Sequence, residues 1–266
     1  MSDDERRLDE GWDLLEEGEL DGALRSARAV LERSHSNVGA LMLAGAALHE
    51  LGETIEAEKS FREALRIDPS QVEARVSLAD LFYARCRFDE SLGFAEEAIE
   101  RDPDHPSAHY LRGLSLDLMG RHSEADVCFR QAHRLDPGHY LEPVSFSRGQ
   151  FEAAVQEALN SLPSEFSGKI RDLPIVVEEV PATELLRTLQ DPDPDLLGLF
   201  IGTPLTEKSF NDAPGLPEAV YLFKRNLERA SAAGEDLIEE IRVTLLHEIG
   251  HYLGMDEDAL DEAGYA

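Results

Sequence analysis

The stretch AGAALHELGETIEAEKSFREALRIDPS, residues 44–70, contains the pattern that predicts the fold of the first half of the chain. Its small residues and its proline recur at intervals of 34 residues. Small side chains let two antiparallel helices approach closely, and proline ends the second helix of a pair. The pattern therefore predicts four helix pairs that stack into a short all-α superhelix. The recurring positions are Gly11, Gly45, Ala79 and Gly113; Ala23, Ala57, Ser91 and Ala125; Val30, Ala64, Ala98 and Ala132; and His35, Pro69, Pro103 and Pro137.

Residues 44–70 and the later stretch RGLSLDLMGRHSEADVCFRQAHRLDPG, residues 112–138, resemble the tetratricopeptide repeat. The resemblance covers residues 4 to about 138 and is weakest in the first repeat, where His35 stands in place of proline and Ala27 in place of the usual aromatic residue. It implies a scaffold with a concave groove, because such repeats bury their apolar faces only on their neighbours. In this family the groove binds peptides or partner proteins, so we expect a protein or peptide partner there.

The 34-residue period stops near residue 138, and a different kind of sequence follows. We therefore predict a repeat domain over residues 1–138 and a second domain over residues 146–266. In the second domain, Ser147 and Gln150 are spaced as a capping box at the start of an amphipathic helix. Three later apolar runs are rich in β-branched and aromatic residues and are predicted to be strands; they are LPIVVEEV (173–180), LLGLFIG (196–202) and AVYLFKR (219–225).

A long amphipathic helix is predicted after these strands. Asp236 and Glu239 are candidate caps of its first turn. The stretch TLLHEIGHYLGMDEDALDEAGYA, residues 244–266, begins on this helix and contains the candidate functional residues. The buried stripe of the helix is expected to comprise Ile238, Ile241, Leu245 and Ile249.

His247 and His251 are four residues apart, so a helix places both on one face. Their imidazole nitrogens can then bind one metal ion, as histidine pairs do in zinc sites. Glu248 is turned by about 100° from His247 around the helix axis. There its carboxylate can take a proton from a water that the metal makes more acidic. The three residues therefore predict a zinc site with Glu248 as its catalytic base.

Zinc also needs a third protein ligand, which the residues after His251 can supply only if the chain turns back at once. Gly254 lies three residues beyond His251, where a left-handed residue can end the helix and reverse the chain. Carboxylate oxygens, like imidazole nitrogens, are common zinc ligands in proteins. Glu257 is therefore the favoured third ligand, and Asp256 and Asp258 are its alternatives.

Four stretches across most of residues 146–266 resemble, in order, segments of the minimal zincin-like metallopeptidase family; they are FEAAVQEALNSLP, LLGLFIGTPLTEKS, LPEAVYLFKRNLE and VTLLHEIGHYLGMDEDAL. The resemblance implies a small α/β (α+β) zincin-type fold with the motif helix packed on a mixed sheet. It also implies zinc-dependent peptidase activity, with His247 and His251 as zinc ligands and Glu248 as the catalytic glutamate. The chain differs from the metzincins, which place a third histidine where Glu257 stands here.

We therefore predict a zinc-dependent metallopeptidase that hydrolyses peptide bonds, with repeats that bind a protein partner or the substrate. The alternative is a non-catalytic adaptor whose zincin-like domain is only structural. In the peptidase, the predicted strand AVYLFKR is expected to form a sheet edge with which an extended peptide pairs, so that specificity lies along residues 221–225. The alternative is an interior strand, because three of the four residues 220–223 are strongly apolar or β-branched. Tyr252 and Tyr265 are candidate donors to the oxyanion, with simple packing as the alternative for Tyr252.

The composition bears on partners and location. With 25 Lys and Arg against 55 Asp and Glu, the formal net charge is -30. Such a surface repels phosphate backbones and anionic lipid, so neither nucleic acid nor a membrane is expected as a partner. The first residues lack the basic and then apolar order of a signal peptide, and no apolar run approaches the roughly 18 residues of a membrane span, so a cytoplasmic location is expected. Two cysteines, Cys86 and Cys128, are too few for a disulfide framework and are expected to be buried.

Overall fold

The computed structural model describes residues 2–142, 144–162, 168–205, 218–256 and 258–260. The chain divides into two compact units, Met1–Asp136 and Pro137–Ala266. Within the described residues, no helix is both long and apolar enough to cross a membrane.

Eight helices make up the described part of the first unit, and consecutive helices pack against each other in four pairs. Each pair also packs against the next one, so neighbouring repeats cover each other's apolar faces. The predicted superhelix of helix pairs is therefore confirmed. The helices are α1 (Asp3–Glu16), α2 (Leu20–Arg33), α3 (Val38–Glu50), α4 (Thr54–Ile67), α5 (Val72–Ala84), α6 (Phe88–Arg101), α7 (Pro106–Leu118) and α8 (His122–Leu135).

Glycine at the first recurring small position lets an aromatic ring lie directly against the helix backbone. A Cβ atom at Gly45 would lie 2.5 Å from Cε1 of Phe61, and one at Gly113 would lie 2.6 Å from Cε1 of Phe129. Ordinary contacts between carbon atoms are about 3.5–4.0 Å, so a larger residue fits only if the ring moves. The close approach of the two helices that the small residues predict is therefore present.

The turn inside each helix pair uses a left-handed backbone. Gly18, Gly52 and Gly120 have φ values of 77°, 77° and 76°, and Cys86 takes the equivalent position with φ 55°. A left-handed residue with a side chain costs roughly 1–2 kcal/mol, which glycine avoids. Cys86 and Cys128 are both buried and carry free thiols, as the cysteine count predicts.

The second unit begins with α9 (Arg148–Ser161), where Ser147 and Gln150 form the predicted capping box. Its described residues contain one three-stranded sheet in the order β1-β3-β2, with β3 parallel to β1 and antiparallel to β2. The mixed sheet is therefore confirmed. The remaining elements are β1 (Ile175–Glu178), α10 (Thr183–Leu186), β2 (Gly198–Ile201), β3 (Ala219–Phe223), α11 (Lys224–Ala230) and the motif helix α12 (Gly234–Leu253).

The core of the second unit lies between α9, α12 and the sheet. Both helices turn an apolar face inward, and the central strand supplies the residues that they cover. Burial of this face holds the motif helix on the sheet. The largest fully buried side chains of this core are Phe151, Leu222, Leu227 and Leu237.

The sequence-based assignment of AVYLFKR as the sheet edge is wrong, because β3 lies between the other two strands. Tyr221 is in register with Val176 of β1 and with Leu199 of β2. The N–H of Phe223 donates to the carbonyl of Leu197 at 2.9 Å. Since both edges of β3 are paired, a substrate peptide cannot add to it.

The predicted start of the motif helix is also wrong. The helix begins at Gly234 after Ala233, and no side chain caps it. Asp236 lies in the first turn, where its negative charge is still favourable. Ile238 is 38% exposed, because the buried stripe starts at Leu237 and continues at intervals of four residues. The other predicted members of the stripe, Ile241, Leu245 and Ile249, are buried.

Candidate functional site

The motif helix α12 brings the rings of His247 and His251 together. Their Nε2 atoms lie 3.0 Å apart, and the rings meet edge to face with centroids 4.6 Å apart. Two nitrogens that each lie about 2.1 Å from a tetrahedral zinc ion are roughly 3.4 Å apart. The two nitrogens therefore converge at nearly the separation that shared coordination requires, and this donor pair fits zinc.

A hydrogen bond identifies which nitrogen of His251 can bind a metal. Nδ1 of His251 lies 3.3 Å from the carbonyl oxygen of Met255. Because a carbonyl oxygen can only accept, Nδ1 carries the proton and Nε2 keeps its lone pair on the side of His247. Such a bond to the second ring nitrogen is the usual way in which proteins orient a histidine ligand.

The chain reverses immediately after the motif helix, as the glycine three residues after His251 predicts. Gly254 is left-handed with φ 86°, and the N–H of Met255 donates to the carbonyl of Gly250 at 3.0 Å. A Cβ atom at Gly250 would lie 2.2 Å from Cδ2 of Leu260, which is fully buried. Gly250 was missed by the sequence reasoning, and it lets the returning chain pack directly on the helix.

The third ligand stays a prediction. Glu257 lies outside the described residues. Of its two alternatives, Asp256 uses Oδ1 to accept the N–H of Ala259 at 3.0 Å, and Asp258 is exposed. Within the part of the chain that the structure describes, no group of three His, Cys, Asp or Glu side chains is arranged to hold a metal ion.

Glu248 is 8% exposed and faces β2 rather than solvent. Its Oε2 atom accepts the backbone N–H of Phe200 at 2.6 Å. In an antiparallel pair, every second residue of a strand points its backbone groups at the partner strand. Leu197 is such a residue, because its carbonyl accepts the N–H of Phe223, and Phe200 lies three residues further along, so it belongs to the other set. The N–H of Phe200 therefore points away from β3, towards the edge of the described sheet. The carboxylate of Glu248 lies at that edge.

Gly198 allows the helix to approach β2 so closely. A Cβ atom there would lie 2.6 Å from Cγ2 of Thr244, 3.0 Å from Cγ of Glu248 and 3.2 Å from the carbonyl oxygen of Tyr221. The sequence reasoning missed this residue. The available signal was a glycine inside an apolar strand, which often marks the close approach of another element.

A cleft of about 370 Å³ opens beside Glu248 and His247. Its walls are mainly apolar and come from the residues that precede β2 and from the outer face of α12. Glu240 lies on its rim and is half-buried. The apolar walls are formed by Leu196, Leu197 and Val243.

Tyr252, a candidate oxyanion donor, packs inside the domain. It is 6% exposed, its hydroxyl donates to the carbonyl of Lys169 at 3.4 Å, and its ring meets that of Phe200 at 5.6 Å. The other candidate, Tyr265, lies outside the described residues.

Comparison with protein families supports both resemblances. Three tetratricopeptide repeat models match residues 8–72, 48–114 and 106–139. The model of the zincin-like metallopeptidases matches residues 170–265. The chain thus combines a tetratricopeptide repeat array with a zincin-like metallopeptidase domain, as the sequence predicts.

Individual relatives match shorter parts of the chain. Superkiller protein 3 of Saccharomyces cerevisiae is 32% identical over 90 residues, which are 34% of this chain and 6% of that protein. The uncharacterized protein y4yS of Sinorhizobium fredii is 30% identical over 94 residues, which are 35% of this chain and 51% of that protein. The chain therefore spans about half, or much less, of these relatives.

Among solved structures, a thermophilic tetratricopeptide repeat protein of Thermus thermophilus is similar over 63% of this chain and 96% of its own, with a TM-score of 0.50 and 20% identity. At this identity the likeness shows the fold alone. It agrees with the superhelix of helix pairs in the first unit.

Proposed function

We propose that the second unit is a zinc-dependent peptidase domain and that the repeats bind its protein substrate or a partner. The observation that carries this proposal is the convergence of two imidazole nitrogens, 3.0 Å apart, on the helix that also bears the buried Glu248. A purely structural metal site has no need of a general base at this position, so Glu248 favours catalysis. The match of residues 170–265 to the zincin-like metallopeptidases supports the same reaction class.

His247 and His251 would hold the metal through Nε2, and Glu257 is the proposed third ligand. When bound, zinc supplies Lewis-acid chemistry, since it polarises a carbonyl group and makes water more acidic. The hydrogen bond from His251 to Met255 keeps the His251 ring in the tautomer that can donate its Nε2 lone pair.

Glu248 is the proposed general base. Its carboxylate takes the proton of the attacking water and later gives it to the leaving amine, which is the usual division of work for a carboxylate in this position. The hydrogen bond from Phe200 orients the carboxylate against β2. Because the side chain is buried, the carboxylate keeps this orientation, whereas an exposed side chain would sample several.

The substrate would lie along β2 instead of β3. Among the described residues, β2 is the edge strand next to the motif helix. The N–H of Phe200 on that edge already donates to Glu248, so a peptide would pair with the other outward-facing backbone groups of β2. An extended peptide can add to such an edge by main-chain hydrogen bonds. The apolar cleft beside Glu248 would then accept a substrate side chain, with Leu197 and Val243 as its walls.

Two measurements on the full chain test the proposal. Protein purified without chelators should contain about one equivalent of zinc, which acidification should release because both imidazoles must be neutral to bind it. A quenched-fluorescent peptide library should be hydrolysed, and Glu248→Gln should lower the rate by roughly 10²–10⁴-fold while zinc content is unchanged. Glu239→Gln is the matched control, since Glu239 is exposed on the same helix and pairs with Arg242.

The outcomes separate the candidate functions. Less than about a tenth of an equivalent of any transition metal would refute the metal site. Full zinc content without hydrolysis by the wild-type chain would favour the adaptor whose zinc is only structural. Glu257→Gln should weaken zinc binding more than Asp258→Asn does, and the reverse order would reassign the third ligand.

A further inference from the structure

The repeat unit contains a cleft of about 400 Å³ that is unrelated to the metal site. It lies where α1 and α3 end and where α5 passes beside them. Its apolar lining comes from Leu15 and Leu20, which are half-buried, and from the ring of Phe61, which is buried. Three carboxylates also line it, those of Glu16, Glu50 and Asp80.

The carboxylates of this cleft outnumber its cations. Glu16 and Glu50 are exposed, and within the described repeats neither carboxylate takes part in a side-chain hydrogen bond or an ion pair. Asp80 lies 3.5 Å from Nε2 of His49, the one basic side chain on the cleft wall among the described residues. Two carboxylates therefore face the cleft without a fixed counter-charge.

The helix ends add to the negative potential. Glu16 is the last residue of α1 and Glu50 is the last residue of α3, and the C-terminal end of a helix carries a partial negative charge. The last turn of α1 contains no basic residue that would offset it. A positively charged group is thus attracted by both the carboxylates and the two helix ends.

His49 on the cleft wall has one unsatisfied polar atom. Nδ1 of His49 is buried, and it has no hydrogen-bond partner among the described residues. Buried polar atoms nearly always have a partner in native structures.

We propose that this cleft binds a basic segment of a partner protein, in which a Lys or Arg side chain enters between Glu16 and Glu50. The aliphatic stem of such a side chain packs on Leu15, Leu20 and Phe61 while its charged head stays near the carboxylates, which is how long basic side chains usually bury their stems. Acidic segments are repelled by the same charges, as nucleic acid is. Binding at this cleft rests on the proposed role of the repeats in partner binding and is independent of peptidase activity.

Fluorescence anisotropy tests the inference with two labelled peptides of equal length. One probe alternates leucine and arginine, and the other replaces each arginine by citrulline, which has the same shape without the charge. The full chain carries Glu248→Gln so that neither probe is cleaved. The arginine probe should bind at least about tenfold more tightly than the citrulline probe, and its affinity should fall as salt rises.

Matched variants separate the cleft from the general negative charge of the chain. Glu16→Gln with Glu50→Gln removes two charges from the cleft and should weaken binding of the arginine probe about tenfold, since each exposed pair contributes modestly. Asp89→Asn with Glu100→Gln removes two exposed charges from α6, outside the cleft, and should change it less than about twofold.

A third variant places a cation inside the cleft. Ala46 lines the cleft, so Ala46→Lys should occupy the position of the ligand cation and abolish probe binding while the thermal unfolding temperature stays within a few degrees. The inference is overturned if the two probes bind equally, if the α6 variant loses as much affinity as the cleft variant, or if the arginine probe binds more weakly than about 1 mM.

Discussion

Replacing Gly198 by alanine should displace Glu248 relative to β2 without changing the distance between the two histidine nitrogens. The new Cβ atom would lie 2.6 Å from Cγ2 of Thr244 and 3.0 Å from Cγ of Glu248. Carbon atoms in contact are usually about 3.5–4.0 Å apart, so strand and helix must move apart by roughly 1 Å. His247 and His251 lie on one helix and move together, which keeps their nitrogens at the separation that a metal needs.

The magnitude follows from this displacement. Overpacking of a close contact usually costs about 1–3 kcal/mol, so the free energy of unfolding should fall by that amount. A misplacement of about 1 Å in a catalytic site can cost roughly 10²-fold in rate. Zinc content, by contrast, should stay at the wild-type level. Gly198→Ala thus predicts slow hydrolysis by a folded, metal-loaded protein.

The assay combines chemical denaturation, elemental analysis and hydrolysis of the fluorescent peptide library. The rescue variant is Thr244→Ser, which removes the Cγ2 atom that the new methyl group would strike and keeps a hydroxyl group in place. Added to Gly198→Ala, it should recover at least about half of the lost stability, since the shortest contact is gone. Wild-type stability and rate for Gly198→Ala alone would refute the packing argument.

Three further predictions concern the rest of the chain. Gly52→Ala should destabilise the protein by about 1 kcal/mol, because Gly52 has φ 77°. Gly93→Ala should instead stabilise it by about 0.5–1 kcal/mol, because Gly93 lies at an exposed position inside α6 with open space around it; urea unfolding measures both changes. Burial raises the pKa of the Cys128 thiol, although nearby Arg112 lowers it in part. The native thiol should therefore react with a disulfide reagent far more slowly than the thiol of the unfolded chain. Equal rates would contradict its burial. Limited proteolysis should cut first within residues 138–147 if the repeats and the zincin-like domain fold separately, and first cuts within residues 40–130 would oppose that boundary.

The fold of the repeats could be predicted in detail because its contacts are close in sequence. A helix pair closes within 34 residues, and each pair touches mainly its neighbours. The same spacing places Gly45 against Phe61 and Gly113 against Phe129. One repeat carries Cys86 at a position where the others use glycine, and this exception became clear only from the backbone angles.

Strand order in the second unit depended on pairing between distant segments, and here the sequence reasoning failed. A run of apolar residues predicts a strand but not its neighbours. A hint was present, since Ala219, Val220, Leu222 and Phe223 are all apolar, and strands covered on both faces usually have such continuous runs. All four side chains are buried, as expected for the middle of a sheet. The strand that precedes the motif helix in sequence is therefore not the strand at the edge.

The candidate site shows the same division between local and distant determinants. The spacing of His247 and His251 on one helix is sufficient to bring their nitrogens together, so a single sequence could predict that pair. The surroundings of Glu248 depend on Phe200, which lies 48 residues earlier, and on the missing side chain of Gly198. Neither contact follows from the motif, because each requires β2 to be placed against the helix first. A sequence with the same five-residue motif but a larger residue in place of Gly198 would keep the histidine pair, but its glutamate would lose the position against β2 that Glu248 has here. The motif alone therefore predicts metal binding better than it predicts catalysis.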